Sequence, residues 1–296
     1  MNDKLKKYEQ IWKSTKIYED LSSIENAVME LQNYFGIESN KVRSRMINGG
    51  KMLADEWNCY FRNRKMEYKN IIEFYDNTIN EIFELMFWHC KEFPNKPLQY
   101  VFALDVAKRR GYKRYLDYGS GVGTAGILFA KNDFQVTLAD ISSKNLDFCR
   151  FRFKDRNLTA NFIDLKNDGL EGRKYDFITC LDVLEHIPNP IGTLMTLRSC
   201  LADGGLLIVN VPFGKDEDRP MHIVTDVRIA DKIRALGFSY DRTLANECKK
   251  LTKKYILVLK KVDRSCVSNK LYLIYDSIPM GIRRPLSKVI RMFVKE

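Results

Sequence analysis

The 296-residue sequence predicts an α/β fold: a seven-stranded sheet with its last strand antiparallel, preceded by a helical N-terminal segment. Three observations lead there. From Gly111 onward, short apolar runs alternate with helix-length amphipathic runs, the rhythm of parallel strands joined by crossover helices. The first such unit, RYLDYGSGVGTAGILFA (114–130), places Gly119, Gly121 and Gly123 between a strand and a helix. Glycine there allows a tight turn and lets a ligand touch the main chain. Ahead of this unit, residues 1–110 carry apolar side chains at three- and four-residue steps, as in Ile24, Ala27, Val28, Leu31 and in Ile71, Phe74, Tyr75, Ile79, Ile82, Phe83.

Taken in order, the helical segment meets few breakers until Pro94 and Pro97, and it holds all three tryptophans, Trp12, Trp57 and Trp88. These aromatics either fill a core of their own or line a substrate pocket above the sheet; His89 and Cys90 form a candidate ligand pair, but a lone His beside a Cys on an aromatic helix reads rather as core. Strands are expected at 114–118, 135–140, 160–164, 175–182, 205–212, 239–245 and 253–261. Helices are expected near 124–132, 143–157, 190–202 and 226–236, with Thr225 as the N-cap of the last. The link from Asn246 to Thr252 is too short for a parallel crossover, so the final strand should be reversed. The expected division is 1–110 as a cap over the substrate, 111–262 as the catalytic domain and 263–296 as a basic tail.

Ligands of open α/β sheets lie beyond the carboxyl ends of the strands. At the first strand end, the helix N-terminus behind the glycines offers free N–H groups and suits an anion. Gly121, Gly123 and Gly126 satisfy the spacing of a dinucleotide site, which keeps NAD in view. Asp117 argues otherwise: a carboxylate beside the glycines repels a pyrophosphate and welcomes an ammonium. S-adenosylmethionine combines a carboxylate, an ammonium and a sulfonium with no phosphate. Asp140 ends the second strand, where an acid accepts ribose hydroxyls; Ser142 and Ser143 already supply helix capping there. Asp164 ends the third strand and reads either as a partner of the adenine amino group, with Leu165 against the ring, or as a plain loop acid. The fourth strand leads into Asp182, Glu185 and His186.

The segments DYGSGVG, VTLADIS, NFIDL, DFITCLDVLEHIPNP and LADGGLLIVNVP together resemble the class I S-adenosylmethionine-dependent methyltransferases, nearest the ubiquinone-biosynthesis and small-molecule O-methyltransferase branch. The resemblance covers about residues 111–261. It implies a Rossmann-like domain and a cofactor set of Asp117, Gly119, Ser120, Gly121, Asp140, Ile141, Asp164, Leu165 and Leu181. In some ubiquinone O-methyltransferases the counterpart of D-V-L-E-H binds a divalent metal, which here would use Asp182, Glu185 and His186. Related families carry the same letters as a hydrogen-bonded turn, and no metal is expected.

Methyl transfer to a hydroxyl benefits from a base titrating near neutrality, which favours histidine. Of the three histidines, His222 after the fifth strand is the first candidate for base or acceptor positioning and His186 the second. The Asn/Asp-Pro-Pro-aromatic signature of amine methylation and the Pro-Cys nucleophile of cytosine methylation are both missing, which disfavours a nucleic-acid base as acceptor. The expected reaction is O-methylation of a small-molecule or lipid- or glycan-linked acceptor. The alternatives are an RNA or protein methyltransferase, an NAD-dependent oxidoreductase, and a non-catalytic S-adenosylmethionine-binding protein.

Composition sets the surroundings. Seven scattered cysteines without a C-x-x-C pair argue for a reducing, cytoplasmic setting, and no apolar run suggests a signal peptide or a membrane span. Of the net charge of +11, residues 249–296 hold 13 basic against 3 acidic residues. Within them Leu286, Val289, Ile290, Phe293 and Val294 form an apolar stripe beside Arg284, Lys288, Arg291 and Lys295. That amphipathic helix, residues 284–295, either docks on the protein, lies peripherally on an anionic membrane, or meets an anionic substrate or nucleic acid.

Overall fold

Each central strand alternates two apolar sets, so both faces of the sheet are buried. Tyr115, Phe177, Leu206, Ile208 and Val258 point to one side, and Leu116, Ile178, Leu207, Val209 and Leu259 to the other. The computed structural model describes residues 3–210, 218–223 and 232–262. Its strands are β1 (Arg114–Tyr118), β2 (Gln135–Asp140), β3 (Asn161–Asp164), β4 (Tyr175–Cys180), β5 (Leu201–Val209), β6 (Phe238–Tyr240) and β7 (Leu257–Lys261). They lie in the order β3-β2-β1-β4-β5-β7-β6. Pairing is parallel from β3 through β5, and β7 runs antiparallel to both of its neighbours. The predicted Rossmann-like sheet with a reversed last strand is present.

The reason given for that reversal needs correction. Of residues 239–245 only Ser239 and Tyr240 are in a strand, and the link before β7 is not a short turn. The strand β6 stops at Tyr240, and a helix occupies Arg242–Thr252. Asp241 caps this helix by accepting from Leu244 N–H, and Leu244, Ala245, Cys248 and Thr252 form its buried face. Leu244 and Ala245 extended the apparent strand pattern, whereas the aspartate before them starts a helix. Two further strands end early. The fourth stops at Cys180 because Asp182 takes a left-handed φ of 57°, and the fifth is described to Val209. The expected helix at 226–236, its cap Thr225 and the basic tail with residues 284–295 lie outside the described residues.

Before the sheet come α1 (Asp3–Lys13), α2 (Ser23–Phe35), α3 (Ser39–Phe61), α4 (Tyr68–Asn77), α5 (Asn80–His89) and α6 (Gln99–Arg109); α7 (Thr124–Ala130), α8 (Ser143–Asp155), α9 (Pro190–Cys200) and α10 (Arg242–Thr252) follow within it. The N-terminal helices share their cores with the sheet domain. Leu5, Tyr8 and Trp12 join α6 and the β1 side chains, while Val28, Leu31 and Phe83 pack with Val122 and Phe148. A third cluster unites Leu53, Trp57, Phe74 and Tyr75 with Met221 and the partly buried Ile141. A buried ionic link ties α2 to α8: the Glu30 carboxylate accepts from Arg152 Nε at 2.8 Å and from Arg156 Nη2 at 2.7 Å. Arg152 also donates to Val122 O and Thr124 Oγ1, so the same link reaches the turn after β1.

Candidate active site

One cavity opens over the carboxyl ends of β1, β2 and β4, roofed by α4, α5 and α6. Its floor begins at the turn Gly119–Gly121. Gly119 has a φ of +70°, and a Cβ there would sit 2.4 Å from Val183 Cγ2. Gly121 has a φ of +49°, and a Cβ there would meet Leu85 of α5 at 2.7 Å. The backbone thus turns under a roof that leaves no room for side chains. Asp140 is buried at the end of β2, where Oδ2 accepts from Gly121 N–H at 2.8 Å and Oδ1 from Ser142 N–H at 2.9 Å. Each oxygen keeps a lone pair, the arrangement a ribose diol needs. Ser142, as expected, caps α8.

Of the sequence-predicted cofactor residues, Gly119, Ser120, Gly121, Asp140, Ile141, Leu165 and Leu181 line this cavity. Ser120 Oγ is buried there without a hydrogen-bond partner. Asp117 lies beneath the floor, buried and accepting from Thr179 Oγ1 at 2.9 Å; burial pushes its carboxyl up to about 7. Asp164 is turned away, its carboxylate taken by Lys166 and Asn167. A carboxylate aimed at hydroxyls, side-chain-free glycines, an orphaned hydroxyl and apolar Ile141 and Leu165 fit S-adenosylmethionine.

The far wall carries the two histidines. The His186 and His222 rings stand 4.9 Å apart, centroid to centroid, nearly perpendicular. His186 Nδ1 lies 3.1 Å from Met221 O and 3.0 Å from Tyr75 Oη. A carbonyl only accepts, so Nδ1 carries the proton and Nε2 presents its lone pair. Burial, with His222 beside it, lowers His186 to about 3, so it stays neutral. Glu185 is buried with Oε2 unpartnered, and burial followed by the nearby Asp182 raises its carboxyl to about 8.

The donor set differs from the one the motif suggested. Ligand atoms of Glu185, His186 and His222 lie within 4.8 Å of one another, while Asp182 is engaged with Asn210 and stands outside the group.

Sequence reasoning expected a cap of residues 1–110 and aromatics above the sheet, but did not single out which roof residues would face the site. Tyr75, Glu81, Glu84, Trp88 and Tyr100 all face the cavity. Asn145 Nδ2 donates to Glu81, whose carboxyl is raised by burial and by the Asp140 charge. Two aligned backbone donors favour the charge on Asp140, so Glu81 keeps the proton. The available signal was spacing: Glu81, Glu84 and Trp88 fall at i, i+3 and i+7 on one face of an otherwise apolar helix. His89, taken as core, is half-buried beside Trp12 and Tyr100, held at about 3 by desolvation, and hydrogen-bonded through Nδ1 to Thr124 Oγ1 at 2.8 Å. Its ring also reaches the cavity.

Comparison with known proteins agrees with this geometry. A sequence profile described as a methyltransferase domain matches residues 87–250. Among curated relatives, the ubiquinone biosynthesis O-methyltransferase of Histophilus somni is 30% identical over 102 residues, 32% of this chain and 43% of the relative. The protein of the same name from Actinobacillus pleuropneumoniae is 30% identical over 121 residues, 38% of this chain and 50% of the relative. The chain therefore spans about half the length of the curated relatives it matches. An O-methyltransferase family protein from Burkholderia thailandensis shares the fold, with a TM-score of 0.53, 15% identity, and coverage of 74% of this chain and 71% of that one. With a profile match over more than half its length, the chain belongs to the S-adenosylmethionine-dependent methyltransferase domain family.

Proposed function

We propose that the protein transfers a methyl group from S-adenosylmethionine to a hydroxyl oxygen of a small-molecule acceptor. The observation that carries the reading is the single cavity, with Asp140 and the glycine turn at one end and the facing His186 and His222 rings at the other. The cofactor supplies an electrophilic methyl carbon on a sulfonium. The glycine turn and Asp140 hold its nucleoside part; Asp117 supports that turn from below. Tyr75, Trp88 and Tyr100 cover the cavity and exclude water, which leaves alignment of the acceptor as the main catalytic task. His222 takes the hydroxyl proton as the oxygen bonds to the methyl carbon and the carbon–sulfur bond breaks. His186, neutral at physiological pH, positions the acceptor through Nε2. A lipid-linked acceptor and membrane contact through residues 284–295 draw support from sequence pattern alone; pelleting with anionic vesicles tests that contact.

Calorimetric titration with S-adenosylmethionine and with NAD, on wild type and Asp140→Ala, tests the cofactor. Micromolar S-adenosylmethionine binding, weakened at least about tenfold by the substitution, is expected from the loss of two charge-assisted hydrogen bonds. Tighter binding of NAD would sink the reading. Release of S-adenosylhomocysteine with a panel of phenols and aliphatic alcohols then finds the acceptor class.

A second reading rests on the close approach of Glu185, His186 and His222. Such an N/O donor set suits zinc or a similar divalent cation, which would acidify an acceptor hydroxyl. Metal content of the purified protein by mass spectrometry, with Glu185→Gln as control, decides it: stoichiometric metal lost on substitution supports the reading, and metal-free protein that does not bind zinc removes it.

A further inference from the structure

Two carboxyls meet at the cofactor end of the cavity, one from the sheet and one from the roof. Asp140 ends β2, Glu81 belongs to α5, and both line the cavity. Asn145 of α8, itself buried, links them: its Nδ2 donates to Glu81 Oε2 at 2.9 Å, and its amide also favours the charge on Asp140. Among the described residues this is the one hydrogen bond that Glu81 makes, so Oε1 is left to the cavity. The charges that act on Glu81 there are negative, Asp140 first and then Glu84, and the Tyr75 hydroxyl of α4 feels Glu81 in turn. Two other acids nearby are already engaged: Asp76 of α4 pairs with Lys166, and Glu56 of α3 accepts from Thr78 and Asn80. Two carboxyls in each other's field inside a water-poor cleft do not both ionise. The N–H groups of Gly121 and Ser142 keep the charge on Asp140, and the proton stays on Glu81. Because Oε2 accepts from Asn145, that proton sits on Oε1. A ribose hydroxyl both donates and accepts, whereas an ionised Asp140 only accepts. A diol seated on Asp140 therefore still needs a donor for its own oxygens, and a carboxylic acid is one.

We propose that Glu81 is a second ribose-binding residue, donating through Oε1 to the diol whose hydroxyls Asp140 accepts. The inference rests on S-adenosylmethionine as the cofactor and adds to the strand-end residues a contact from the N-terminal helical segment. Binding then depends on the Glu81 proton: affinity is full while the acid is protonated and falls as pH rises through its titration.

Calorimetric titration of the full chain with methylthioadenosine, and with its 2′-deoxy and 3′-deoxy forms, tests this contact. The ligand keeps the ribose and lacks the amino-acid end, whose own amine would titrate in the same range. Wild-type affinity should fall about tenfold between about pH 7 and pH 9. Glu81→Gln, which keeps a donor in place, should bind within about threefold of wild type at about pH 7 and lose the pH dependence. Glu81→Ala should bind about tenfold more weakly at that pH, and the penalty should shrink to about twofold for at least one deoxy ligand. A merely structural role would weaken all three ligands alike. Wild-type affinity in Glu81→Ala, an equal penalty on all three ligands, or a wild-type profile as flat as that of Glu81→Gln overturns the contact. Absence of nucleoside binding by wild type itself would strike the cofactor reading, a result that no comparison among the variants can mimic.

Discussion

Replacing Glu30 by glutamine should loosen both the N-terminal helices and the cofactor turn. Glu30 is fully buried and accepts from Arg152, Arg156 and Asn26 Nδ2. Burial alone would raise its carboxyl; the two guanidiniums more than reverse this and hold it at about 2, against the usual 4.5. At about 1.36 kcal/mol per pH unit of displacement, the carboxylate is worth ~3 kcal/mol at neutral pH. Its folded pKa lies below the unfolded one, so this contribution is present above about pH 4.5 and lost as pH falls toward 2. Glutamine leaves two buried cations without their anion, a loss of about 3–5 kcal/mol. For a chain of this size, each kcal/mol shifts Tm by about 2–4 °C, so Glu30→Gln should melt roughly 6–20 °C lower at pH 7. The gap should narrow as pH falls below about 4.5, with roughly half of it left near pH 3 and convergence only at about pH 2. Because Arg152 also holds Val122 and Thr124, S-adenosylmethionine should bind several-fold more weakly. Calorimetric melting from pH 3 to 8 reads the first effect and titration the second. A Tm within about 1 °C of wild type at pH 7 would refute the assignment of the ion triad as the tie between the two parts.

Three further outcomes are expected. His222→Gln should lower turnover by about 10²–10⁴ while leaving S-adenosylmethionine affinity within about twofold; wild-type turnover in single-turnover assays would remove His222 as the base. Gly119→Ala, forced to a positive φ against Val183, should cost about 1–3 kcal/mol in urea melts and weaken the cofactor at least about tenfold, and wild-type affinity would mean the turn is not the cofactor's seat. Asp117 titrates in the folded protein at about 7, above its unfolded value of 3.8, so its contribution is full below about pH 4 and lost as pH rises through 7. The ligand-free protein should therefore melt lower at pH 8 than at pH 6, and Asp117→Asn should flatten that slope; a Tm that rises over this range contradicts it.

The sheet was legible because its signals are local. Strand alternation, the glycine turn and the acids at strand ends each sit within a few residues, so Asp140 and the glycines could be placed by counting. The roof was not legible in that way. Tyr75 meets His186 across 111 positions of sequence, and Trp88 gathers Arg219 and Lys254 only through folding. Glu84 reads as an ordinary part of an aromatic helix, and Trp88 as core or pocket alike, until the sheet lies beneath them. The helix before β7 failed for a different reason: Leu244 and Ala245 suit a strand as well as a helix, and Asp241 was the deciding residue. Asp182 and Asp164 carried the letters of ligands, but Asn210, Lys166 and Asn167 occupy them.

The helix α5 lends five side chains to the cavity, Glu81, Glu84, Leu85, Trp88 and His89. Glu81 reaches toward Asp140, Leu85 presses on the glycine turn, Trp88 carries Lys91 over its ring and His89 bonds to the start of α7. One rigid rod of ten residues therefore senses both halves of the reaction. Any ligand that orders this rod does part of the ordering that the other ligand requires. By thermodynamic reciprocity the acceptor then strengthens cofactor binding by the same factor as the cofactor strengthens the acceptor's. In the proposed reaction, departure of the methylated product would by the same reciprocity loosen the spent cofactor.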